Sequence, residues 1–214
     1  MKIRRFLVLF LAAVLVISMN MTAFAKEEQH MDETNDIVEK YGISEDELVN
    51  LNNNLEKALY KANSVKNKNM RGESIEKIQV SENIYVMLTT KIDSQNMLST
   101  TKGVPGKRYT VTASLELKNI VGATICTLNS VGVFESDFSI CRPVDAYGTY
   151  SAIVWNVTNT SSSKGSPQYN TWVRNSFSGE LNIGIDPVHM TLQSFEHSCT
   201  VHCDASGNAY AEWS

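Results

Sequence analysis

The stretch of the chain best suited to chemistry is EHSCTVHCD, residues 196–204, which holds two histidines and two cysteines. Imidazole and thiolate groups are the ligands that zinc prefers, and thiols also form disulfides and redox pairs. In an extended strand His197, Cys199 and Cys203 lie on one face and His202 on the other, because successive side chains alternate. Four ligands on a single strand therefore do not converge on one ion. A metal site and a redox site remain alternatives to a structural role.

The N-terminus has the pattern of a secretory signal peptide over residues 1–25. A basic start is followed by the apolar run Phe6 to Ile17, and Ala-Phe-Ala precedes a cleavage site after Ala25. The run is shorter than the roughly 20 residues that span a bilayer. We therefore predict a secreted, extracellular protein with no membrane anchor in the mature chain.

The four cysteines, Cys126, Cys141, Cys199 and Cys203, favour disulfides, because an even number of cysteines in an exported chain usually pairs. In an extended strand the Cα atoms of Cys199 and Cys203 lie about 13 Å apart. A disulfide needs a Cα separation of roughly 4.4–6.8 Å. Each of these two cysteines should therefore pair with Cys126 or Cys141. We favour Cys126–Cys199 with Cys141–Cys203 over the reverse arrangement.

Catalysis has less support than binding. His189 and His197 are the first candidates for the base of a secreted hydrolase, but the chain has no G-x-S-x-G, H-E-x-x-H or P-loop motif. We assign no catalytic residue and predict no metal or cofactor.

Aromatic residues make a binding module the leading interpretation. Trp172, Trp213 and Tyr169 are candidate stacking side chains, whereas Trp155 shares a strand face with apolar residues and is expected in the core. Residues 108–214 contain only 14 charged residues among many Ser, Thr and Asn. Such a surface suits a neutral polymer, so cell-wall or other carbohydrate is a possible partner.

Charge and composition divide the chain into an acidic helical segment at 26–63, a linker at 64–73 and a β domain at 74–214. Residues 26–60 contain ten acidic and three basic residues, whereas residues 61–214 contain 13 of each. A domain without a basic face is not expected to bind nucleic acid.

The helical segment has clear local signals. Gly42 is a candidate C′ residue, and Ser44 with Glu47 predicts a capping box at the start of the next helix. Its apolar stripe consists of Leu48, Leu51, Leu55, Ala58, Leu59 and Ala62. The stripe predicts packing against the body of the protein. The alternative is a cleavable pro-segment that keeps a secreted toxin or antimicrobial inactive.

After residue 74 the apolar period changes to two, which predicts strands. In RYTVTASLELK, residues 108–118, apolar and polar residues alternate throughout. Further strands are expected at 74–80, 83–92, 123–134, 137–141, 149–158, 168–177, 180–185, 188–203 and 208–213, with a loop at 94–107 and turns at AYG, NTSSSKGSP, SG, DP and DASGN. This spacing predicts a mainly β fold, an antiparallel β-sandwich of about eight strands preceded by a short α-helical segment.

Several motifs of residues 108–214 together resemble small, mostly uncharacterised secreted β-domain proteins of Gram-positive bacteria. The motifs are GVFESDFSIC, SAIVWNV and VHCDASGN, in which the matching residues are Gly132, Phe134, Cys141, Trp155, Cys203 and Gly207. The resemblance implies a β-sandwich and export, and no activity. Cys126, Cys199 and the helical segment lie outside the pattern.

Overall fold

The computed structural model describes residues 41–65, 73–97, 106–152, 155–185 and 188–214. Within these ranges the chain forms two helices and nine strands. The helices are α1 (Glu45–Val49) and α2 (Leu51–Val65). The strands are β1 (Ser74–Gln79), β2 (Ile84–Met97), β3 (Gly106–Asn119), β4 (Thr124–Ser136), β5 (Cys141–Ala152), β6 (Trp155–Lys164), β7 (Asn170–Ile185), β8 (Val188–Asp204) and β9 (Ala209–Trp213).

The strands form two antiparallel sheets packed as a β-sandwich, which confirms the predicted fold class. One sheet has the order β1-β2-β3-β4-β5 and the other the order β6-β7-β8-β9. Strand β5 of the first sheet contacts β6 and β7 of the second, so the sheets meet along that side. On the opposite side α2 contacts both β1 and β9. The helix therefore fills the gap that the sheets leave open.

Strand β3 shows why the alternating pattern produces a sheet with one core face. Its apolar side chains are buried, and the residues between them are at least partly accessible. The buried set is Tyr109, Val111, Ala113, Leu115 and Leu117. Their burial gives the hydrophobic free energy that fixes the register of β3 between β2 and β4, since a slip by one residue would reverse the two faces.

The helices begin where the local sequence predicts. Gly42 has φ +62°, a conformation that glycine adopts without steric cost. The Ser44 side chain accepts a hydrogen bond from the Glu47 amide, and the Glu47 carboxylate accepts one from the Ser44 amide, which completes the capping box. The predicted apolar stripe is buried in the same cluster as both sheets, at Leu48, Leu51, Leu55, Leu59 and Ala62.

Glu47 also joins the helices to the β1–β2 turn. Its carboxylate accepts hydrogen bonds from the Ser81 hydroxyl and from the backbone and side chain of Asn83. Partial burial by itself would raise the pKa of Glu47. The hydrogen bonds from Ser81, Asn83 and Ser44 outweigh it and lower that pKa to about 2. The ionised carboxylate is therefore the form that holds this contact.

A buried polar link connects the two sheets. Asn175 of β7 is fully buried, and its Nδ2 donates to Ser130 Oγ of β4 at 2.7 Å and to the Val131 carbonyl at 3.3 Å. Its Oδ1 accepts from the Ser162 hydroxyl of β6 at 2.6 Å. Because each polar group in this link has a partner, it sets the relative position of the sheets without an unsatisfied group.

Several predicted turns and strand limits are wrong. The expected strand at 137–141 is a turn, and AYG lies within β5. NTSSSK lies in β6 and SG in β7. A Cβ at Gly179 would lie 2.1 Å from the Asn156 carbonyl oxygen, so this glycine allows close approach of β6 and does not form a turn.

Other predictions lie partly or wholly outside the described residues. The signal peptide and the first part of the acidic segment fall within 1–40, which the structure does not describe. Helix α2 continues to Val65 and therefore extends into the predicted linker at 64–73. Residues 66–72 and 98–105 also lie outside the described residues. Among the described residues, no helix is both long enough and apolar enough to cross a membrane.

Candidate binding surface

The buried face of β8 carries the first candidate base, His197. Its side chain is 1% exposed and stacks on Phe195 with ring centroids 5.7 Å apart. Burial lowers the pKa of His197 to about 4, because a charged imidazolium would lose its hydration, and a hydrogen bond to the Ser214 backbone opposes this only in part. His197 is therefore neutral near pH 7 and has no access to a substrate. This geometry does not support its predicted role as the base of a hydrolase.

His202 lies on the opposite face of β8, as the strand alternation predicts. Its ring stacks on Tyr210 of β9 at 4.4 Å, and its Nε2 lies 3.7 Å from Glu212 Oε2. The two histidines of EHSCTVHCD thus point to different sides of the sheet. Among the described residues, no group of three or more His, Cys, Asp or Glu side chains is placed to hold a metal ion.

The four cysteines are buried, and within the described structure none is at disulfide-bonding distance of another. No disulfide is therefore formed among the described residues, and the pairing of the four cysteines stays a prediction. The Ser130 hydroxyl, not Cys126, lies against the Cys199 carbonyl, at 3.5 Å. Cys126 and Ser130 are four residues apart on β4, so their Cα atoms lie about 13 Å from each other. In contrast, the Cys141 side chain is within hydrogen-bonding reach of the Cys203 thiol.

The aromatic candidates occupy three different environments. Trp213 is 1% exposed and stacks on Phe177 in the core, so its ring has no exposed face for the predicted stacking contact. Trp172 is partly buried, with Gly165 packed against its indole: a Cβ at Gly165 would lie 2.8 Å from Trp172 Nε1. Only Tyr169 is well exposed, at 56%. The side chains of His189 and Trp155 lie outside the described residues.

The turn between β4 and β5 presents an aromatic ring to solvent in an unusual backbone conformation. Phe138 has φ +69° and is the only described residue other than glycine with positive φ; its side chain is 53% exposed. The amide of Phe138 donates to Ser136 Oγ at 2.9 Å. The amides of Ser139 and Ile140 both donate to Asp137 Oδ1, at 3.0 and 2.8 Å. The turn is therefore held by its own side chains.

Asp137 is the residue that organises this turn. The hydrogen bonds from the Ile140 and Ser139 amides lower the pKa of its carboxyl group, and the positive charge of Arg142 adds to the effect. Asp137 thus stays ionised over a wide pH range, which keeps both hydrogen bonds in place.

A second exposed aromatic side chain lies next to the turn. Cys141 and Gln168 form an antiparallel bridge, with N–H···O distances of 2.8 and 3.1 Å. The next positions along these two antiparallel segments are Ile140 and Tyr169, which are 37% and 56% exposed. We call Phe138, Ile140 and Tyr169 the hydrophobic tip.

The segments that carry the hydrophobic tip are hydrogen-bonded to the turn between β8 and β9. The Ala205 amide donates to the Tyr169 carbonyl at 2.7 Å, and the Ala205 carbonyl accepts from the buried Ser136 hydroxyl at 2.6 Å. The Tyr169 hydroxyl lies 3.2 Å from the hydroxyl of Ser206. Three segments distant in sequence thus meet at one end of the sandwich. Such fixed loops at the end of a rigid scaffold are a common position for binding residues.

A separate groove of about 630 Å³ runs between α2 and the end of β9. It is lined by Glu56, Lys57, Leu59, Tyr60, Lys61, Asn63, Trp213 and Ser214. Asn63 Nδ2 donates to the Trp213 carbonyl at its base, and Tyr60 is 79% exposed at its edge. The groove is an alternative candidate site for a ligand.

The sequence singled out Tyr169 as a candidate stacking residue, but not the exposed side chains of Phe138 and Ile140 beside it. The available signal was SDFS, because Asp at the first position of a turn bonds the amides that follow it. The apolar residues around Asp137 suggested a strand instead. No family model, curated protein or solved structure matches this chain.

Proposed function

We propose that this protein is exported and acts outside the cell as a non-enzymatic binding protein. The hydrophobic tip is its contact surface, and cell-wall or a related neutral polysaccharide is its ligand. The observation that carries the proposal is the conformation of Phe138. A bulky residue in the left-handed region costs about 1–2 kcal/mol, and burial offsets this only in part at Phe138, which is 53% exposed.

The chemistry of the surroundings favours a neutral polymer. The rings of Phe138 and Tyr169 offer apolar faces, and the hydroxyl groups of Tyr169 and Ser206 offer hydrogen bonds beside them. The 14 charges of residues 108–214 are few, so the surface attracts neither strongly anionic nor strongly cationic ligands. Sugars combine apolar ring faces with hydroxyl groups and match this arrangement.

The helical segment is more consistent with a structural element than with a detachable inhibitor. Ile43, Leu48, Leu51, Leu55 and Leu59 are all at most 1% exposed and share one cluster with the sheets. Removing the helices would expose that part of the cluster to water, at a cost of roughly 1.5–3 kcal/mol for each large side chain. This argues against release of the segment to activate a toxin.

A sedimentation assay with insoluble polysaccharides tests the proposal. Secreted full-length protein is mixed with purified bacterial cell wall, chitin or cellulose, and the bound fraction is measured against polymer concentration. We expect Tyr169→Ala and Phe138→Gly each to raise Kd about 10-fold or more, as for other aromatic side chains at the centre of a contact. Phe138→Gly should leave thermal stability unchanged or higher, because glycine tolerates positive φ.

Tyr60→Ala is the matched control, since Tyr60 is an exposed tyrosine in the groove and not in the hydrophobic tip. It should bind like the unchanged protein. The proposal fails if no polymer retains the protein, or if Tyr60→Ala loses binding while the tip variants keep it. Retention by phosphatidylcholine vesicles and by no polysaccharide would show that the apolar tip serves a membrane surface instead.

A further inference from the structure

Cys141 and Cys203 come from strands 62 positions apart, and one short segment brings them together. Cys141 begins β5 and forms the antiparallel bridge with Gln168. Cys203 lies near the end of β8 and is the register partner of Thr171 on β7. Gln168 and Thr171 are three residues apart, so the segment between them aligns both cysteines at the base of the hydrophobic tip.

The two side chains face each other inside the protein. Both residues are 0% exposed, and the Cys141 thiol is within hydrogen-bonding reach of Cys203 Sγ. This contact, burial and the nearby carboxylate of Asp204 together raise the pKa of Cys203. In the folded, reduced protein Cys203 is therefore a thiol and a poor nucleophile.

We propose that Cys141 and Cys203 form a disulfide by exchange with a disulfide oxidant, such as oxidised glutathione or an exported thiol oxidoreductase, while the chain folds. One thiol loses its proton and attacks the oxidant, which forms a mixed disulfide and releases one thiolate. The second thiolate attacks the mixed disulfide and releases the other. The two cysteines are oxidised, the oxidant is reduced to two thiols, and both cysteine protons pass to solvent or to those thiols.

The same geometry excludes Cys126 from this pairing. Burial alone raises the pKa of Cys126 to about 12, and it lies about 13 Å along β4 from Ser130, the residue that contacts Cys199. A disulfide between Cys126 and Cys199 would require strand β4 to shift within the core. We therefore expect one disulfide, not two.

The disulfide would join the start of β5 to the end of β8 directly below the hydrophobic tip. It would hold the turns at 137–140 and 205–208 together whatever the hydrophobic tip binds. Formation of the disulfide therefore does not depend on the identity of the proposed ligand. Because both thiols are buried, exchange with the folded reduced protein should be slow. Exchange should be fast before the sandwich closes.

Refolding with a defined oxidant tests the inference. The full chain is reduced in guanidinium chloride, diluted into mixed oxidised and reduced glutathione, quenched with iodoacetamide and mapped by mass spectrometry. Trypsin does not separate the candidates, because no Lys or Arg follows residue 174 and Arg142 precedes proline. Cleavage after Glu135 and Glu196 separates Cys126 from Cys141, and fragment ions then distinguish Cys199 from Cys203.

The expected product links Cys141 to Cys203 and carries alkyl groups on Cys126 and Cys199. Its thermal midpoint should exceed that of the reduced protein by roughly 10 °C, as for a loop of about 60 residues. The double variant Cys126→Ser with Cys199→Ser should form the same link, and refolding in reduced glutathione alone should form none. The inference would be overturned if the main product contained a disulfide to Cys126 or Cys199. It would also be overturned if all four cysteines were alkylated after refolding under oxidising conditions.

Discussion

Mild acid should destabilise this protein through the buried imidazole of His197. The folded state keeps His197 neutral, with its pKa lowered to about 4, whereas the unfolded chain has the ordinary value of 6.5. Between these two pH values the unfolded chain binds more protons than the folded one. The free energy of unfolding therefore falls as the pH falls through this window, and the contribution of His197 is fully present only above pH 6.5.

The size of the effect follows from the shift in pKa. A shift of one pKa unit corresponds to 1.36 kcal/mol, so the full loss of unfolding free energy on going below pH 4 is about 3 kcal/mol. At pH 5 the loss should be about 2 kcal/mol. Such a loss is a large part of the 5–15 kcal/mol that stabilises a typical domain.

Urea unfolding at pH 7.5, 6, 5 and 4.5, followed by tryptophan fluorescence, measures the effect. His197→Leu replaces the imidazole with an apolar side chain that fits beside Phe195 and does not titrate. The difference in unfolding free energy between the two proteins removes the contribution of all other groups. We expect the unchanged protein to lose about 2 kcal/mol relative to His197→Leu between pH 7.5 and pH 5.

His202→Gln is the matched control, because His202 lies on the accessible face of the same strand. It should retain the loss of unfolding free energy on acidification that His197→Leu lacks, because it leaves His197 in place. A constant difference between His197→Leu and the unchanged protein from pH 7.5 to 4.5 would refute the reasoning, since it would show that burial does not suppress protonation of His197.

Two further predictions concern the contacts that hold the elements together. Glu47→Gln should lower the unfolding free energy by about 1–2 kcal/mol at pH 7. Because the pKa of Glu47 is lowered from 4.5 to about 2, the difference in unfolding free energy between the two proteins should shrink as the pH falls below 4.5. Glu56→Gln, on the exposed face of α2, is the control and should have little effect on the unfolding free energy. A loss in Glu56→Gln equal to that in Glu47→Gln would contradict the role of the Glu47 hydrogen bonds. Asn175→Ala should cost about 2–3 kcal/mol in urea unfolding, because it leaves the buried Ser130 hydroxyl without this partner. Asn129→Ala, which removes side-chain hydrogen bonds from an accessible face, should cost less than half of that, and the reverse order would show that the link between the sheets is not important for stability.

Local signals in the sequence predicted much of the fold. The alternation in β3 predicted its buried face, and Ser44 with Glu47 predicted the capping box, because both depend on neighbours within four residues. The opposite faces of His197 and His202 followed from the same alternation. These features need no knowledge of which strands pair.

The errors arose where distant segments decide. Gly179 reads locally as a turn residue, but the approach of β6 to β7 is what requires glycine there. Trp213 reads as a surface residue near the C-terminus, yet it packs on Phe177 because β9 joins the edge of the second sheet. The same holds for Phe138, whose exposure depends on three segments that meet at the end of the sandwich.

The sequence by itself determined the mainly β class, the buried face of β3 and the capping box of α1, because these follow from backbone geometry and the period of the side chains. Only the tertiary structure decided that Cys141 meets Cys203, that His197 is sealed from water and that Phe138 and Tyr169 share one end of the molecule. Each of these depends on the order and register of strands far apart in the chain. Those are set by the packing of the whole core, and no local pattern of residues encodes them.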